Sequence, residues 1–251
     1  MTRVVLTGWM VLALSLTVFW YRQERTKNAT SVDVAWSLGI TILIMIYGVT
    51  FSERSFQGAL VVTLSVIWSL RLGFFLLKDR ILQNTLEDGR YAALRVHWGA
   101  KASFNFFWFY QAQGIIALLF SLPILSAMTA RPSKTSLILG ICIWIISVGG
   151  ETIADNQLAH FRSLPENKGK TCRIGLWRFS RHPNYFFEWM HWWTYVLLGQ
   201  GIFLTWLGPS LMLLFLFRLT GIPYTERQAV KSRGEKGKVT SKRDPTRSKR
   251  S

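Results

Sequence analysis

The sequence predicts an all-α, polytopic membrane protein with about seven transmembrane helices around a cytosol-facing cavity. Three observations carry that expectation. Half of the 251 residues are hydrophobic and 12 are Trp. The apolar residues come in blocks of about 20, the length a helix needs to cross a hydrocarbon core about 30 Å thick. The formal charge of +17 resides almost wholly between those blocks.

Val4–Tyr21 is the first block, and Val32–Phe51, opened by Asp33 and Trp36, is the second. Gly58–Leu77 is the third and carries Arg71 inside its apolar pattern. A polar connection over 78–103, of the kind that lies on a membrane surface, precedes Phe104–Met128, which is rich in aromatic residues and holds Gln111 and Gln113. Thr135–Ala154 is the fifth block, and a second long polar connection covers 155–181. Tyr185–Leu198 and Ile202–Leu219 follow, divided by Gly199, Gln200 and Gly201. The sixth block is at the low end of spanning length, which suits a tilted or partly buried helix. Residues 1–230 read as one multi-pass membrane domain, and 231–251, rich in Ser, Lys and Arg, as a basic, disordered cytosolic tail.

Counting the blocks as seven crossings separates the cations. Segments 22–31, 78–103, 155–184 and 218–251, all on one side, hold 25 Lys and Arg, and the other side holds only Arg3, Arg54, Arg131 and Lys134. Cytosolic loops carry such an excess, so the N-terminus is expected outside and the C-terminus in the cytosol. On that topology Asp33, Arg71, Gln111, Gln113, Glu151, Asp155, Glu188, His191 and Arg218 all fall in the cytosolic half of the membrane. Ionisable groups at such depth are costly and point to function; gathered in one leaflet, they point to a single polar cavity.

Composition also excludes classes. A pI near 10.5 is a footprint of nucleic-acid binding, but there is no basic helix and no nucleic-acid motif, and membrane orientation accounts for the charge. Cys142 lies in an apolar run and Cys172 in a polar loop, which gives neither a disulfide framework nor zinc spacing; no metal site is expected. The first block lacks a small-residue cleavage signature before Tyr21, so a retained helix is expected. No G-x-G-x-x-G follows a strand and no P-loop occurs.

The densest chemistry is in Gly175–Glu188. Asn184, Glu188 and His191 are spaced i, i+4 and i+7 and share one helical face. Pro183 suits a first helical turn, which places His182 and Asn184 at a helix N-terminus, where free N–H groups favour a phosphate. Arg162, Lys168, Lys170, Arg173, Arg178 and Arg181 precede it, as donors to a diphosphate or a 2′-phosphate or as contacts to lipid headgroups. Asp155 and Arg162 would share a face if the fifth helix runs on into the cytosol, as cofactor ligands or as a plain ion pair. Asp33 and Arg71 either neutralise one another or touch substrate, with Trp36 and Gln111 beside them.

Asp33-Val-Ala-Trp36, Trp68-Ser-Leu-Arg71-Leu, Glu87-Asp-Gly-Arg-Tyr91-Ala-Ala-Leu-Arg95, Ile153-Ala-Asp-Asn-Gln157, Asn167-Lys-Gly-Lys170 and Gly175-Leu-Trp-Arg-Phe-Ser-Arg-His-Pro-Asn-Tyr185 resemble the DUF1295 membrane proteins of the steroid 5-alpha-reductase superfamily. The resemblance covers roughly residues 30–230. It implies a seven-helix fold in which NADPH, held in a cytosol-facing cavity, reduces a carbon–carbon double bond conjugated to a carbonyl in a steroid-like or other lipid drawn from the bilayer. By position Asp155 and Arg162 resemble the residues that hold the cofactor, and Asn184 and Glu188 those at its nicotinamide end, with Arg178, Arg181, His182 and Tyr185 in the same element. In a eukaryote the resemblance implies the endoplasmic reticulum. Phe187 stands where the family usually has Gly, and Gly73-Phe-Phe-Leu where steroid reductases place a catalytic Tyr, so no proton donor is named. Two other readings stay open: an S-adenosylmethionine-dependent methyltransferase of lipid or isoprenylcysteine, which shares Arg181-His182-Pro183 and Tyr185, and a non-catalytic lipid-binding protein.

Overall fold

The computed structural model describes residues 1–51, 55–82, 86–167 and 169–219. Every apolar block is helical within them. The α-helices are α1 (Thr2–Thr26), α2 (Ser31–Phe51), α3 (Phe56–Leu77), α4 (Gly89–Trp98), α5 (Ala102–Thr129), α6 (Lys134–Ser163), α7 (Pro183–Leu198) and α8 (Leu207–Leu214). Five segments among the described residues are long and apolar enough to cross a membrane: Thr2–Thr26, Ser31–Phe51, Phe56–Leu82, Gly89–Thr129 and Lys134–Ser163. The chain is an all-α polytopic membrane protein. Helix α7 has 16 residues, about 24 Å at helical rise. The final block is one continuous apolar helical stretch, wound as a 3₁₀ turn, Phe203–Trp206, then α8, then a π-helical turn, Phe215–Leu219. The disordered tail expected at 231–251 lies outside the described residues, as do Arg54 and Lys168.

The helix ends follow local chemistry. Ser55 Oγ accepts from Gly58 N at 3.0 Å and caps α3, which supplies one of the acceptors that a helix N-terminus lacks. Asp88 does the same for α4 through Arg90 N at 2.9 Å, and Gly99, at φ +51°, ends that helix. Helix α6 continues beyond the apolar block to Ser163, so Asp155 and Arg162 do lie on one helix.

The chain forms two compact units, residues 1–141 with 194–208 and residues 142–193 with those from 209 on. In the first, glycine lets backbones approach, the usual basis of helix contact in lipid: a methyl group at Gly114 on α5 would come within 2.8 Å of Leu16 on α1. Polar side chains add links, with Tyr47 and Ser121 hydroxyls 3.0 Å apart and Gln57 Nε2 donating to Leu198 O at 3.1 Å.

An ion cluster pins the surface helix α4 to the start of α2. Asp33 accepts hydrogen bonds from Arg80, from Arg90 Nη2 at 2.6 Å and from the Tyr91 hydroxyl at 2.6 Å. These partners stand in place of the Asp33–Arg71 neutralisation weighed from sequence. Glu87 accepts from Ala29 N at 2.8 Å and from Arg95 Nη2 at 2.8 Å. Asp88 is bonded through both Arg90 N and Nε. Burial opposes charge on Asp88, but hydrogen bonds and charge from Arg90, with the charge of Arg80, outweigh it and hold the carboxyl below its usual 3.8.

Asp33→Ala removes the carboxylate that Arg80 and Arg90 share, and should cost about 2–3 kcal/mol of stability; Tyr91→Phe should cost about 1–2 kcal/mol. Thermal unfolding of the detergent-solubilised chain measures both. Asp88 ionises more readily in the folded than in the unfolded chain. Its contribution is therefore complete above about pH 4 and lost as pH falls below its usual value. Asp88→Asn should flatten the acid limb of the unfolding midpoint against pH.

Candidate functional site

In the second unit the sequence element Gly175–Arg178 folds as a 3₁₀ turn docked on α6. Gln157 Oε1 accepts from Leu176 N at 2.9 Å, and Trp177 Nε1 donates to Ala154 O at 2.8 Å. Gly175 sits at φ +51°, and a Cβ there would strike the Gln157 amide, so both conformation and space require glycine. The turn leads through Arg181 and His182 into α7, which opens at Pro183.

This brings part of the expected set together. Asn184 Nδ2 donates to Asp155 Oδ1 at 3.2 Å, joining the first turn of α7 to α6. Asp155 is 4% exposed and Glu188, one turn deeper than Asn184, is 9% exposed. Asn184 Oδ1 is also buried, and among the described residues it has no hydrogen-bond partner. Buried polar atoms are nearly always bonded, so this acceptor is what a ligand donor would complete. The His182 ring stacks on Tyr185, with centroids 5.2 Å apart and planes 11° from parallel. Arg162 and Arg181 are exposed, on the residues flanking that buried group.

Arg178 goes elsewhere. It lies on the wall of a cavity of about 720 Å³ that is otherwise mostly apolar, built by Ile145, Ile146, Gly149 and Ile153 of α6 with Phe179 and Phe187. Neither Asp155, Asn184 nor Glu188 lines it, so within this unit the apolar groove and the buried polar group are separate features. Phe187 is placed by Gly150: a Cβ at Gly150 would come within 2.6 Å of the Phe187 ring. The larger residue on α7 thus lies in the space that glycine leaves on α6. Sequence reading treated Phe187 alone; the signal was the Gly149-Gly150 pair.

The weak substrate set divides as well. In the first unit Asp33 and Trp36 line a cavity of about 170 Å³ with Leu76, Arg80, Arg90 and Gln113. Gln111 is turned to α1, where its Nε2 donates to Thr17 Oγ1 at 3.1 Å. Arg71 has Nε and Nη2 buried and is not in the cavity wall. Gln113, expected in a polar cavity, lines this one, whereas Arg80 and Arg90 were missed; Arg90 and Tyr91 stand in the Glu87–Arg95 motif, but nothing in the spacing tied that motif to Asp33.

A family model described as "Protein of unknown function (DUF1295)" matches residues 19–244. No curated protein matches the chain, and no solved structure does.

Gly150→Ala should destabilise by about 1–3 kcal/mol, the usual range for overpacking, and Phe187→Ala in the same chain should recover part of that loss. Gly149→Ala, whose Cβ meets nothing within 4 Å, should instead be neutral or raise the unfolding midpoint, since alanine is the better helix former.

Proposed function

We propose that this chain, which belongs to the DUF1295 family, is a membrane oxidoreductase that uses NADPH to reduce a conjugated carbon–carbon double bond in a steroid-like or other lipid. The observation that carries the reading is Asn184. Its amide nitrogen is anchored to Asp155 at 3.2 Å, and its buried oxygen has no donor among the described residues. A nicotinamide carboxamide presents the N–H groups that such an oxygen accepts. NADPH, when bound, supplies the hydride.

The chain's own residues bind and orient. Asp155 fixes which way the Asn184 amide points, so that Oδ1 is the atom left to accept. Glu188, buried on the same face, offers a second acceptor. Arg162 and Arg181 are exposed cations suited to phosphate oxygens. His182, held flat on Tyr185, sits just before Pro183, where the free N–H groups of α7 favour an anion. Burial of Asp155 and Glu188 keeps water from this end of the group, which strengthens each polar contact within it.

The same reading places these residues in the cytosol-facing leaflet, with the C-terminus cytosolic and the N-terminus outside, supported by the division of cations between segments. The membrane of the endoplasmic reticulum is the compartment proposed for a eukaryotic chain.

Calorimetric titration of the purified chain with NADPH and with S-adenosylmethionine tests the reading. NADPH should release heat of binding and S-adenosylmethionine should not. Asn184→Leu should weaken NADPH about tenfold or more, for loss of a buried hydrogen bond. Heat with S-adenosylmethionine alone would replace the reductase by a methyltransferase.

A further inference from the structure

The apolar groove on α6 is a built feature that the cofactor reading does not use. Ile145, Gly149 and Ile153 recur at i, i+4 and i+8 and form one stripe of the helix. Ile145 and Ile153 are 58% and 52% exposed, so the stripe is open to the side. Gly149 supplies an open floor, with nothing within 4 Å of a built Cβ. Phe187, seated on Gly150, and Phe179, just after the docked turn, also line it. From Ile145 to Gln157 the stripe runs about 18 Å along the helix. At its Gln157 end stands Arg178, which forms no ion pair with a carboxylate among the described residues.

We propose that this groove binds one single-chain fatty carboxylate, its hydrocarbon along the stripe and its carboxylate on Arg178. Three features select that occupant. The wall is apolar along its length and cationic at one end, which complements an amphiphile with an anionic head. The Arg178 guanidinium and a carboxylate make a charge-assisted pair, frequently bidentate. The stripe is a single helical row about 18 Å long, which seats one extended chain. A cavity of about 720 Å³ also lies within the range of ligand sites. The site stands independently of the reductase reading, because none of Asp155, Asn184 and Glu188 lines it.

Native mass spectrometry of the full chain, released from detergent after equilibration with palmitate, hexadecanol or dipalmitoyl phosphatidylglycerol, tests the proposal. The expected result is a single palmitate adduct. Arg178→Gln should weaken palmitate about tenfold, the loss of a hydrogen bond to a charged group, and leave hexadecanol unchanged. Gly149→Phe should abolish both adducts, while Gly149→Ala, a folding control at the same position, keeps them. Palmitate retained by a folded Gly149→Phe chain, an Arg178→Gln chain with unaltered palmitate affinity, displacement of palmitate by phosphatidylglycerol, or a dimer that takes up no palmitate would each overturn it.

Discussion

A hydrocarbon interior offers no hydrogen bonds, so every polar group taken into it must find its partner within the protein. The backbone meets this by being helical throughout the crossing segments. The side chains that cannot meet it by helicity alone are the carboxylates, and the two units answer in different ways. Asp33 is surrounded by two guanidinium groups and a phenol, all donors, drawn from 80–91. That arrangement neutralises the acid and fastens a surface helix to the membrane helices. Asp155, more deeply buried, has among its partners the amide of Asn184, a neutral donor that also brings an acceptor of its own. The first arrangement closes on itself. The second leaves Asn184 Oδ1 without a donor among the described residues, and the proposed function rests on that asymmetry.

Helix α6 carries two different jobs on two faces. Glu151 and Asp155 are buried, each 4% exposed, and Ile145, Gly149 and Ile153 lie on the groove. Moving two residues along a helix, from Ile153 to Asp155, rotates the side chain by about 200°. The polar group and the apolar groove therefore back onto one another across the thickness of a single helix. The glycines make that workable: Gly150 admits Phe187 against the helix, and Gly149 keeps the neighbouring surface open.

Much of the fold was legible because hydrophobic block length is a strong signal in lipid. Val32–Phe51 and Gly58–Leu77 were read within two residues of α2 and α3. The end of α6 was harder to read. Residues 155–163 are polar enough to resemble a loop, yet they continue the helix to Ser163, because a helix leaving the membrane can present polar side chains to water without losing its backbone bonds. The last block, Ile202–Leu219, is helical as its apolar composition predicts, but composition does not register that its winding changes at Trp206 and again at Leu214.

The site was legible where its residues are close in sequence and obscure where they are distant. Asn184 and Glu188 share a face by spacing alone, and the helical extension of α6 joins them to Asp155. Arg178, by contrast, is only three residues from Arg181, and sequence proximity made them one cationic group. The 3₁₀ turn separates them: Gln157 and Trp177 fasten 175–178 to α6, so Arg178 lies over the Ile stripe while Arg181 stays with the start of α7. A short docked turn thus divides a run of like charges between the start of α7 and the apolar groove. The division rests on two hydrogen bonds from the turn to α6, and on Gly175, whose positive φ and missing Cβ allow the turn to lie that close.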